Sequence, residues 1–215
     1  MKIFLCLLVT VFIVSCSDDK NNNEALYQSY GVVKEDVNTN GKLYVESDNG
    51  KAIIPSRSGV LLNDDKGSRV WMMFSTGDNI DRDTVKVDVY ELLRITQMDF
   101  KTQSDESTSD EVHLQNIWVA QDYLTLTMDV TASSRASLEN HKYTMYSDKE
   151  IVNDTVRMEF KYNRNSDSRS LKFTKIVALK LDDKIIVNSD SASVVLAIKY
   201  LTNTSAREIF VTYKK

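Results

Sequence analysis

From residue 84 onward the chain alternates apolar and polar side chains with a period of two. Val85, Val87 and Val89 alternate with Lys86, Asp88 and Tyr90, and Leu124, Leu126, Met128 and Val130 with Thr125, Thr127 and Asp129. Val156, Met158, Phe160 and Tyr162 alternate with Arg157, Glu159, Lys161 and Asn163. Successive side chains of a strand point to opposite faces, so each run predicts a strand with one buried and one solvated face. Hardly any 3.6-residue periodicity competes with this pattern. The fold class is all-β, with sheets expected to be antiparallel in the main.

Turn residues divide the strands into two groups. Strands are expected near 26–36, 41–47, 51–55, 68–76 and 84–95, separated by Thr39-Asn40-Gly41, Asp48-Asn49-Gly50, Asp65-Lys66-Gly67 and Thr76-Gly77-Asp78-Asn79. A second group is expected near 112–119, 123–132, 142–148, 154–163, 170–181, 192–201 and 206–213. All six Gly and the single Pro precede residue 80; later turns must use Asn, Asp and Ser, as in Asn163-Arg164-Asn165-Ser166-Asp167. That shift predicts two domains. Five antiparallel strands suit a small closed barrel, which leaves no open edge. Seven suit a two-sheet sandwich of immunoglobulin type, with Trp118 packed in its core without a disulfide. The expected division is a barrel over 26–98, a linker over 99–111 and a sandwich over 112–215. Thr102 to Asp110 of that linker carries no apolar side chain.

The first sixteen residues follow another pattern. Ile3 to Val14 is apolar except for Thr10, and Ser15-Cys16 ends the run. Twelve residues at about 1.5 Å each span roughly 18 Å, short of a hydrocarbon core of about 30 Å. A basic start, a short apolar stretch and a small residue at its end predict a signal peptide over 1–15. Ile13-Val14-Ser15-Cys16 resembles the lipobox of bacterial lipoproteins, which implies that Cys16 is the lipid attachment residue of a tether over 16–25. Ser17-Asp18-Asp19 resembles the surface-export signal of Bacteroidetes lipoproteins, implying an outer-membrane anchor with the protein facing outward; the periplasmic face is the alternative. An ordinary cleaved signal followed by an acidic spacer is the plainer reading of the same residues.

Composition narrows the chemistry. The chain has 215 residues, 42% apolar and 27% charged, with a net charge of −4 and no basic block. A general nucleic-acid footprint is disfavoured, although Tyr44, Trp71 and Phe74 could stack bases. Both cysteines, Cys6 and Cys16, lie in the opening segment, so neither a disulfide scaffold nor a cysteine-based zinc site is expected. The two histidines, His113 and His141, have no second His or Cys at ligand spacing and are expected at strand ends or on the surface. Asn63-Asp64-Asp65 and Asn163 to Asp167 carry oxygen ligands, but neither completes a calcium loop, and turn formation explains them more simply. Tyr27, Tyr30 and Tyr44 line a sugar or peptide groove or else fill the barrel. No catalytic residue, cofactor or metal site is expected.

Several stretches, in order, resemble the NigD-like lipoproteins of Bacteroidetes. They are Gly41 to Gly50 running on to Ile54-Pro55, then Gly67-Ser68-Arg69-Val70-Trp71, then Val85 to Leu93. Asn116-Ile117-Trp118-Val119 with Asp122-Tyr123-Leu124, and Phe160 to Asp167, complete the set. The resemblance implies an OB-like barrel followed by a β-sandwich, and it brings no activity with it. One departure stands out: Ala120-Gln121 occupy the place where that family often has a pair of glycines. The expected function is that of a non-enzymatic envelope protein that binds a protein or glycan partner or serves in assembly. A glycan-binding accessory or a glycan hydrolase using surface carboxylates is the alternative.

Overall fold

The computed structural model describes residues 25–36, 41–79, 83–102, 108–148, 150–181 and 192–214. The signal segment, Cys16 and Ser17-Asp18-Asp19 lie outside the described residues. Five strands form the first unit: β1 (Leu26–Asp36), β2 (Lys42–Ser47), β3 (Ala52–Pro55), β4 (Arg69–Asn79) and β5 (Thr84–Arg94). They close into a barrel in the order β1-β2-β3-β5-β4, with β1 pairing both β2 and β4. This order, with β3 and β5 parallel, is the OB-like arrangement.

Among the described residues, ten strands form the second unit. They are β6 (Thr96–Gln97), β7 (Asp99–Lys101), β8 (His113–Ala120), β9 (Tyr123–Ala132), β10 (Lys142–Tyr146), β11 (Ile151–Val152), β12 (Thr155–Asn163), β13 (Leu171–Lys180), β14 (Ser193–Leu201) and β15 (Ala206–Lys214). One sheet runs β15-β14-β12-β10-β7 with β11 on β12; the other runs β6-β13-β9-β8. Most neighbours are antiparallel, as the alternation predicts. Among the described strands four pairs are parallel: β3 with β5, β7 with β10, β6 with β13 and β12 with β14. In the last case the chain passes through β13 in the opposite sheet before it returns, so the strands on either side of that excursion run the same way.

The alternation becomes the core. Leu124, Leu126, Met128 and Val130 of β9 face Val156, Met158, Phe160 and Tyr162 of β12 and Val194, Leu196 and Ile198 of β14, all buried in one cluster. At about 25 cal/mol per Å² of apolar surface, such side chains contribute roughly 1.5–3 kcal/mol each. The barrel has its own cluster of Val33, Val45, Ile53, Val70, Met72, Phe74 and Val87. Gly31 lets β1 approach β2 there, because a Cβ at that position would lie 2.5 Å from the Glu46 carbonyl oxygen.

The β8–β9 turn adopts left-handed backbone without glycine. Gln121 has φ 49° and Asp122 φ 62°, the paired positive values of a tight hairpin. Tertiary contacts offset the strain: the Leu181 amide donates to the Asp122 carbonyl at 2.7 Å, and Tyr213 donates its hydroxyl to the Asp122 carboxylate at 2.9 Å. Among the described residues no helix is long and apolar enough to cross a membrane.

Candidate functional site

The outside of the barrel meets the outer face of the β6-β13-β9-β8 sheet. On β1 and β4, Tyr30, Val32 and Trp71 alternate with the residues that fill the barrel, so they face outward. There they pack with Ile95 against Tyr123, Ile176 and Ala178. Arg69 shares that outward parity and is fully buried. Its guanidinium forms a two-pronged ion pair with Asp48, with Nη2 at 2.6 Å from Oδ2, and its Nε donates to Thr125 Oγ1 at 3.3 Å. Trp118 donates Nε1–H to the same Asp48 oxygen at 2.9 Å, and the Tyr30 ring meets Trp118 edge-on at 5.0 Å. Burial raises the Tyr30 hydroxyl pKa, with Arg69 opposing and Asp48 assisting. Tyr123 donates its hydroxyl to the Gly67 carbonyl, and Gln121 donates to the Ser47 carbonyl at 3.3 Å. Trp118 therefore does not sit inside the sandwich as expected; it caps the joint between the two units. The sequence shows Asp48 only as a turn residue, and nothing local to it reveals that it neutralises a buried arginine 21 positions away.

The two histidines of the sandwich each belong to a cluster of polar side chains. At one end, His113, Asp129, Arg169, Lys172, Tyr200 and Arg207 line a cleft of about 310 Å³ that also holds Glu111. His113 is exposed as predicted, with Nδ1 at 3.1 Å from Asp129, which also pairs with Lys172 at 2.9 Å. Burial opposes ionisation of Asp129, but hydrogen bonds from Lys172 and His113 outweigh it and hold the carboxyl below the usual range. Glu111 pairs with Arg169 at 2.6 Å. The second cluster is internal. His141 stands at a strand end, directly before β10, but its ring is buried and not on the surface, because Asp167 at 3.0 Å and the Tyr162 hydroxyl at 2.8 Å engage its two nitrogens. Hydrogen bonds from Ser133 and Ser137 hold Asp167 well below the usual carboxylate range. Tyr143 stacks on Tyr162 at 5.5 Å, and its buried hydroxyl has no hydrogen-bond partner among the described residues.

The acidic turns are occupied by the protein itself. Asp65 accepts from the Leu62 amide and from Arg94, both at 2.8 Å. Asn165 and Ser166 take positive φ, and the Asn165 amide donates to Asn163 Oδ1 at 2.6 Å, so this stretch serves as a turn. Among the described residues no three His, Cys, Asp or Glu side chains come together as a metal site.

Aromatic exposure is uneven. Trp71, Tyr30 and Tyr44 are half-buried, while Tyr27 is 47% exposed at the barrel mouth. Tyr27 lies nearly parallel to Phe74, with centroids 6.1 Å apart. The pair borders an opening of about 310 Å³ that also presents Gln28, Asn49 and Lys51.

The sandwich edges are unequal too. β6 and β7 are two and three residues long, and β8 carries a bulge between Leu114 and Asn116. Short strands and bulges are ways of blunting an edge. β15 has neither: it runs nine residues in unbroken register with β14, its one paired strand among those described, and Phe210 at its centre is 63% exposed. An edge of this kind can accept another strand.

A closed barrel joined to a two-sheet sandwich defines an all-β protein of two units. The family model for the NigD-like C-terminal beta sandwich domain matches residues 94–213, and the chain belongs to the NigD-like family. Three solved structures show the same fold over both units. A NigD-like immunity protein from Bacteroides caccae is 18% identical, with TM-score 0.64, covering 89% of this chain and 97% of that one. A protein of unknown function from Bacteroides vulgatus is 15% identical, with TM-score 0.69 and coverage of 89% and 92%. A Bacteroides fragilis protein, provisionally described as a lipoprotein, is 12% identical, with TM-score 0.64 and coverage of 88% and 98%. No curated protein matches the chain by sequence.

Proposed function

We propose that this protein is a non-enzymatic, lipid-anchored envelope protein that works by binding or assembly through its β-domains. In this reading Cys16 carries the lipid, and Ser17-Asp18-Asp19 directs the outer-membrane protein outward. The observation that carries the binding role is the nine-residue, bulge-free edge of β15 with Phe210 exposed at its centre. The descriptions of two structural neighbours, one as an immunity protein and one provisionally as a lipoprotein, suit an envelope protein of this kind. A glycosidase acid needs a raised pKa, whereas hydrogen bonds from Lys172 and His113 hold Asp129 low, so this carboxyl of the sandwich cleft does not suit that role.

Cell fractionation tests the anchor. Cys16→Ala should leave the membrane fraction and stop incorporating labelled palmitate; retention of both overturns the lipid assignment. Replacing Asp18 and Asp19 by Ala should keep the protein membrane-bound but shield it from external protease.

The glycan alternative is supported by the Tyr27–Phe74 pair at the barrel mouth, where a sugar ring could stack beside Gln28, Asn49 and Lys51. A glycan array that retains the protein and loses it on Tyr27→Ala would favour this reading.

A further inference from the structure

We propose that the partner of the β15 edge is a second copy of this chain, joined antiparallel about Phe210. The inference rests on the binding role given to that edge and goes further by naming its occupant. The nine residues Ala206–Lys214 have Phe210 at their midpoint, so a two-fold axis through Phe210 overlaps both strands along their whole length. Such an interface is isologous, with each contact made twice.

The strand complements itself in that register on both faces. Toward the sandwich interior, half-buried Ile209 and Val211 belong to the core-facing set. The two-fold sets Ile209 of one copy opposite Val211 of the other, which extends each apolar core across the junction. On the outer face, Phe210 meets its own copy and Glu208 lies opposite Thr212. Glu208 is also diagonal to Lys214 of the other copy, within reach of a long side chain. No like charges stand opposite one another. Shifting the register by one residue would place the half-buried set against the exposed set, and a larger even shift would shorten the overlap.

The two sheets that end in β15 would then form one continuous sheet, each edge supplying backbone partners to the other where no described strand pairs it. Strand pairing alone buries less surface than a standard stable interface, so the dimer is expected to be weak in dilute solution. Tethering to one membrane raises the effective concentration of the two edges.

Disulfide trapping in cells expressing the full chain tests this, because directly opposed residues of an antiparallel pair have Cα atoms about 4.5–5.5 Å apart, within disulfide range. Phe210→Cys, treated with copper phenanthroline, should give a covalent dimer at least tenfold above the unsubstituted chain. Glu208→Cys or Thr212→Cys alone should give none above that background, whereas co-expression of the two should give the dimer. Thr212→Glu, which sets like charges opposite, should cut trapping of Phe210→Cys at least fivefold. Adding Glu208→Lys to the same chain should restore it. A Phe210→Cys chain that stays monomeric and is freely labelled by maleimide shows an empty edge and overturns both the dimer and the binding role of β15. A chain shielded from maleimide and trapped to a band of another mass overturns the dimer but leaves the binding role standing.

Discussion

Arg69 and Asp48 form a two-pronged ion pair at the joint between the barrel and the sandwich, with the guanidinium fully buried and Trp118 donating to the same carboxylate. A buried guanidinium is tolerated only when its charge and hydrogen bonds are met. Here the turn after β2, in the same barrel as Arg69, supplies the carboxylate, while Thr125 of β9 and Trp118 of β8 add hydrogen bonds from the sandwich, so the full set of partners is met only when the two units are seated together.

Breaking this pair should therefore loosen the joint. Asp48→Ala leaves the arginine buried without its partner and should cost about 3 kcal/mol or more, read as a lower urea midpoint. Trp118→Phe removes one hydrogen bond to a charged acceptor and should cost about 1.5–3 kcal/mol. Because both act on Asp48, the double variant should cost measurably less than the two separate losses combined; simple additivity would show that the pair and the indole are not coupled.

The two stacked tyrosines should respond in opposite directions. The Tyr143 hydroxyl is buried without a partner among the described residues, so Tyr143→Phe should raise stability by about 1 kcal/mol. The Tyr162 hydroxyl bonds His141, so Tyr162→Phe should lower it by a similar amount. Thermal unfolding of the two variants side by side checks the signs.

Acid should destabilise the protein through Asp65 and Asp167. Hydrogen bonds from Arg94 depress the first and those from Ser133 and Ser137 the second. A depressed folded pKa contributes stability that is fully present above the unfolded value of about 4 and is lost as pH falls through the folded value. Urea midpoints should be flat from neutral pH to about 5 and fall below about 4, and Asp167→Asn should make that fall shallower.

Gly31→Ala should destabilise the barrel by about 1–3 kcal/mol, since the new Cβ meets backbone of β2 that cannot rotate away. A circular dichroism melt would register the loss; an unchanged midpoint would mean that β1 and β2 can separate at no cost.

Much of the strand set was legible because period two is a local signal. The runs at 84–95, 123–132 and 154–163 correspond to β5, β9 and β12. β6 and β7 were not legible, since two and three residues cannot display a period. The β8–β9 turn was obscured for a different reason. Gln121 and Asp122 take conformations that favour glycine, and the contacts that hold them come from Ser47, Leu181 and Tyr213, all distant in sequence.

Alternation and turn chemistry act between neighbouring residues, and they suffice for the all-β class, the two groups of strands and the core faces. The sequence also carries the resemblance of Cys16 to a lipidation site. That Arg69, Asp48 and Trp118 meet, that His141 is buried and that β15 ends a sheet follow from the packing of distant strands. Each depends on which strands lie side by side, and an alternating strand reads the same whether it has one neighbour or two.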